Sequence, residues 1–133
     1  MSGERKEPPW DIQARTLAYA VLAVQLYQAL QESRDGAVWV IGKQFLRSAT
    51  SIGANVAEAQ SGESPAVFIH KYSIAQKEAR ESNYWLSVME ASELLPPARL
   101  APIRKEASEI TAVITAIIVN KKKSMRKPRP KDF

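Results

Sequence analysis

Few side chains in this sequence can do chemistry. Its 133 residues include one histidine and no cysteine. Disulfides, thiolate metal sites and any site needing two imidazoles are therefore excluded. A carboxylate-bridged di-iron centre in a helix bundle needs two Glu-x-x-His motifs, but the residue three before His70 is Val67. A haem would have only His70 and a methionine to hold it, and His70 lies off the apolar stripe of its helix, on a surface or an interface. Gly36 to Gln44 superficially resembles a phosphate loop. Five residues separate its glycines instead of four, Gln44 replaces the required hydroxyl, and the segment has a helical pattern. No Gly-x-Ser-x-Gly elbow provides a nucleophile beside His70. Glu78 and Glu81 have the spacing of an acid–base pair, but Lys77 and Arg80 beside them favour helical salt bridging. We expect no catalytic residue, metal or cofactor.

The remaining chemistry is electrostatic. Residues 121–133 hold seven basic groups, Lys121, Lys122, Lys123, Arg126, Lys127, Arg129 and Lys131, against the single acid Asp132, a net +6. Residues 1–120 carry twelve basic and thirteen acidic groups, a net −1. The positive charge thus belongs to one end of the chain, and basic terminal arms bind nucleic acid or acidic surfaces. The segment has no aromatic residue except Phe133, so base stacking is not evident in it. A competing basic patch would be Lys71, Lys77, Arg104 and Lys105.

A second constellation mixes charge with aromatic and apolar groups. Gln44, Arg47, Ser48, Ser51, Asn55 and Glu58 recur at helical spacing as a polar stripe. Ile74, Glu78, Glu81, Trp85 and Val88 form a mixed one. Such mixtures are typical of subunit interfaces, and Arg47 is suited to pair with Glu58, Glu78 or Glu81.

Four helices must position these groups. The first is predicted over residues 11–34, capped by Asp11. It has an apolar stripe of Ile12, Tyr19, Ala23, Leu26 and Leu30 and a second one, nearly opposite, of Leu17, Val21 and Val24. A helix apolar on two sides must bury both. Asp35-Gly36 breaks the chain. The second helix covers residues 37–59, with the stripe Val38, Ile41, Phe45, Ala49, Ile52, Val56 and Ala59. Ser64 caps the third, with Pro65 at its first position. Its stripe is Phe68, Tyr72, Ala75, Ala79, Ser82, Leu86 and Met89, and its small middle admits a close neighbour. Pro96-Pro97 is expected to stop it. The fourth begins between Ala98 and Ile103, has the stripe Ile103, Ala107, Ile110, Ile114 and Ile117, and frays at Lys121–Lys123. Short connections favour antiparallel neighbours. The expected fold is all-α, an up-down-up-down four-helix bundle over residues 11–120. A flexible segment (residues 1–10) precedes it, and a disordered basic tail (residues 121–133) follows it. The longest apolar run, Leu17–Val24, is far short of the ~20 residues that span a bilayer. No signal-like stretch is visible. We therefore expect a cytoplasmic protein with no membrane partner.

Two blocks carry a family resemblance. The run from Gln44 to Ala59, QFLRSATSIGANVAEA, resembles the signature of the bacterial four helix bundle protein family, also called the 23S rRNA intervening-sequence or S23 family. Phe68 to Lys71, Ile74 to Ser82 and Tyr84 to Leu86 resemble its second block. The likeness covers residues 12–120, and the basic Pro-containing tail lies outside the family core. It implies an antiparallel bundle that assembles as a homopentameric ring without enzymatic activity. Members are encoded within 23S rRNA genes or elsewhere in bacterial genomes. A related branch, the accessory variability protein of diversity-generating retroelements, binds nucleic acid and a reverse transcriptase through a basic pentamer. This chain departs from that branch in its near-neutral bundle.

Together these readings predict an oligomeric bundle that binds RNA or DNA or assists a ribonucleoprotein, with a reverse transcriptase or ribosomal component as possible partner. Five tails of +6 would bring about +30 to one ring, enough for sequence-independent phosphate binding. The alternative is a protein-interaction scaffold without direct nucleic-acid binding.

Overall fold

Each helix turns its apolar stripe towards a common core. The computed structural model describes residues 12–62 and 64–126. The helices are α1 (Ile12–Leu30), α2 (Gly36–Gln60), α3 (Pro65–Ala91) and α4 (Pro97–Arg126), and no strand occurs among the described residues. Each packs on two neighbours: α1 on α2 and α4, α3 on α2 and α4, with α2–α3 the most closely packed pair. The stripes of α2, α3 and α4 and the first stripe of α1 are the observed core, with only Ile41, Phe68 and Ile117 half-buried at its edge. The second stripe of α1, expected to be buried too, is exposed at Leu17, Val21 and Val24. The small stretch of α3 leaves room for Tyr19 from the diagonal helix. Its ring packs edge-on against Phe45 at 6.3 Å, and its hydroxyl is 3.0 Å from that of Ser82. Burial pushes the Tyr19 phenol up to about 12.

Ser64 caps α3 as expected, and Asp35, read only as part of a chain break, caps α2. The Asp35 carboxylate accepts from the Ala37 N–H at 2.9 Å, and the Ser64 hydroxyl accepts from the Val67 N–H at 3.1 Å. These bonds satisfy amides that lack a partner in the first turn. Asp11, the expected cap of α1, lies outside the described residues, as do residues 1–10.

The structure moves several boundaries. α1 stops at Leu30 and not Arg34, because the Glu32 and Ser33 amides reach back only three residues, to Ala29 and Leu30. Pro96-Pro97 does not stop α3, which ends at Ala91. There Glu93 adopts a left-handed φ of 58°, and the Leu94 N–H bonds to the Met89 carbonyl at 2.9 Å. This is a Schellman termination with a glutamate where glycine is usual. Pro97 instead opens α4, where its missing N–H costs nothing. Glu93→Gly should therefore raise unfolding stability by roughly 0.5–1 kcal/mol, measurable as an increased urea midpoint with unchanged slope. An unchanged midpoint would show that the left-handed turn carries no strain.

The basic segment needs the largest correction. α4 continues to Arg126, so Lys121, Lys122, Lys123 and Arg126 are helical and do not belong to a disordered tail. No proline or glycine lies between Pro102 and Pro128, and cations are favoured at a helix C-terminus. The stripe ends on Ile118, which is 6% exposed. Lys127, Arg129 and Lys131 lie outside the described residues.

Candidate functional site

The mixed stripe on α3 is largely used within the subunit. Arg47 reaches from α2 to two carboxylates one turn apart. Nη1 donates to Glu78 Oε1 at 3.4 Å and Nη2 to Glu81 Oε2 at 2.5 Å. The Trp85 indole N–H donates to the same Glu81 oxygen at 3.0 Å, and its ring packs against the core. Glu58 pairs instead with Lys71 at 2.6 Å. Ser51 donates to the Arg47 carbonyl at 2.8 Å, and Asn55 to the Ser51 carbonyl at 2.9 Å. Gln44 is exposed, and its carbonyl accepts from buried Ser48. Of these α2 groups only Arg47 and Glu58 join α2 to α3, and both keep outward surface. The Ser48, Ser51 and Asn55 side chains bond back within α2.

The trade-off at this fork fixes a prediction. The Trp85 N–H and the Arg47 guanidinium hold the Glu81 carboxyl below its ordinary value. Its contribution is complete above the unfolded-state value near 4.5 and is lost as pH falls through the lower folded value. The Arg47 side chain is 51% exposed and that of Glu78 only 12%. Arg47→Ala thus strands one buried carboxylate and loses little else, about 1–2 kcal/mol, not the larger cost of a fully buried pair. The melting-temperature gap between wild type and variant should narrow below pH 4.5. A gap independent of pH would place the effect in packing.

A second surface lies between α1 and α2. Leu17, Val21 and Val24, the second apolar stripe of α1, are exposed by 66%, 47% and 41%. Beside Leu17 runs a groove of about 430 Å³, floored by Thr50, Gly53, Ala54 and Ala57. The absence of a side chain at Gly53 lets α1 come close, since a Cβ there would sit tightly against Thr16 at 3.2–3.3 Å. Trp39, 44% exposed, lies on the same side of α2, eleven residues before Thr50. The only charged residue of α1, Arg15, turns the other way, to Glu106 and Glu109 of α4 at 2.6–3.1 Å. A single subunit leaves this apolar face uncovered, with exposed Lys43, between Trp39 and Thr50, its one charge on α2.

The third feature is the end of the bundle where α4 finishes beside the start of α3. Lys121 Nζ lies over the Phe68 ring, 4.8 Å from its centroid, and the Lys122, Lys123 and Arg126 side chains are exposed. Residues 64–77 and 110–126 contain no carboxylate. In the competing patch, Lys71 pairs with Glu58 and Arg104 with Glu90, which leaves Lys77 and Lys105 as its exposed cations. His70 is exposed. No cluster of three metal-ligating side chains occurs among the described residues, and no described helix is long and apolar enough to cross a membrane. The sequence reading missed the Phe68–Lys121 contact because it ended the helix before Lys121. The signal available was the step of three from Ile118 to Lys121, which continues the core stripe.

Comparison with known proteins agrees with this architecture. Residues 13–116 match the family model described as 23S rRNA-intervening sequence protein. A solved structure from Bacteroides thetaiotaomicron, described as a protein of unknown function from the S23 ribosomal protein family, superposes with a TM-score of 0.74 at 38% identity. The match covers 80% of this chain and 97% of that one. No curated protein matches the chain.

Proposed function

The chain belongs to the 23S rRNA-intervening sequence protein family, and on that premise we propose that it is a non-enzymatic homo-oligomer that binds nucleic acid through the gathered basic ends of its subunits. The observation that carries this reading is the separation of charge. The bundle up to residue 120 is nearly neutral, while seven basic groups follow it, and four of them are fixed on the last turns of α4. Phosphate neutralisation by lysine and arginine releases counterions and needs no sequence recognition. Assembly multiplies the effect, because several weak basic ends on one particle bind together. The uncovered α1–α2 face supports self-association, with a pentameric ring as the proposed form. A ribonucleoprotein, such as one built on a reverse transcriptase or a ribosomal component, is the setting that suits such a protein.

A gel shift with structured RNA and with duplex DNA at low salt tests the proposal. Retardation of either probe is expected, with little preference among sequences. Absence of retardation for both would favour the second reading, a protein scaffold whose apolar α1–α2 face receives a partner helix.

A further inference from the structure

We propose that Phe68 is a stacking platform for an unpaired base at the basic end of the bundle. This rests on the nucleic-acid reading above and gives it a substrate class, single-stranded RNA or DNA.

Phe68 is half-buried in the first turn of α3. Buried Tyr72 lies against one face of its ring, with centroids 4.5 Å apart and planes 25° from parallel. The Tyr72 hydroxyl is anchored in turn by the Gln60 side-chain amide at 2.9 Å. The aromatic pair is thus held at a fixed angle. With Tyr72 on one face, the other is left to Lys121, whose ammonium sits 4.8 Å from the centroid. No carboxylate pairs with Lys121 among the described residues; the ring quadrupole is its partner, a weak contact at a partly exposed site. A contact that weak is readily exchanged. Moving the ammonium onto a phosphate and a base onto the ring exchanges a cation–π contact for stacking plus a charge pair. Non-specific single-strand binders combine these same two elements, an aromatic face and a basic track along the backbone. Lys122, Lys123 and Arg126, exposed on other sides of the last turns of α4, supply the further phosphate contacts of a strand that wraps the helix end. A duplex keeps its bases stacked on one another and gains only the phosphate contacts.

Fluorescence anisotropy with a labelled oligoadenylate and a duplex of equal length tests this on the full-length chain. Phe68→Leu should weaken the single strand about tenfold, which is one stacked base at roughly 1.4 kcal/mol. It should leave the duplex within about twofold and the single-strand salt slope unchanged. Lys121→Gln should instead flatten that slope by about 0.7, one phosphate contact. Equal weakening of both probes by Phe68→Leu, or none, would overturn the platform. If Phe68→Leu melts near room temperature, photocrosslinking of wild type to 5-iodouridine RNA replaces it. Adducts on the peptide containing Phe68 would support the proposal, and adducts confined to other peptides would refute it. Failure of wild type to bind either probe would overturn the nucleic-acid reading itself.

Discussion

Removal of residues 121–133 should leave a folded bundle and lower nucleic-acid affinity by about a hundredfold or more at 0.1 M salt. Folding survives because the last buried residue of α4 is Ile118. The truncation costs the bundle only the Lys121 cover over Phe68. Affinity falls because the remaining chain carries −1 where the full chain carries +5. Each lost phosphate contact also removes about 0.9 from the salt slope on duplex DNA. A cut after Arg126 separates the helical cations from those beyond them. It keeps Lys121, Lys122, Lys123 and Arg126 and should retain a corresponding share of the slope. Full affinity in the chain that lacks residues 121–133 would move the site to Lys77 and Lys105. Lys71 and Arg104 already have carboxylate partners.

Leu17→Glu should dissociate the assembly into 14.8 kDa subunits. Leu17 is the most exposed large apolar residue of the α1–α2 face and lines its groove. A carboxylate there would be buried without a partner in the assembly, at a cost of about 4 kcal/mol, roughly a thousandfold in Kd per contact. In a single subunit the same side chain stands in water, so helicity should be unchanged. Leu17→Met conserves volume and polarity and should remain assembled. An oligomer of unchanged mass in Leu17→Glu would exclude this face from the interface.

The bundle was legible because its signal is one of period. Steps of three and four along α2, such as Phe45, Ala49, Ile52 and Val56, place these residues in the core whatever lies around them. Arg47 and its carboxylates were legible as a pairing, but sequence alone left Glu58, Glu78 and Glu81 equivalent. Only the α2–α3 register gives Arg47 the last two and Glu58 to Lys71. Helix ends were the least legible. Pro96-Pro97 has two physical readings, a stop or a first turn. The choice was made by Glu93, whose left-handed φ has no signature in a glutamate. The end of α4 was misplaced for a related reason. Consecutive lysines read as a solvated tail, although lysine is a good helix former, and Lys121 has an aromatic ring to cover.

Light scattering on the full-length protein at micromolar concentration tests most directly whether this chain works as an assembly. A several-fold multiple of 14.8 kDa is predicted, about 74 kDa for a five-membered ring closed by one repeated contact. A stable species of 14.8 kDa would contradict it.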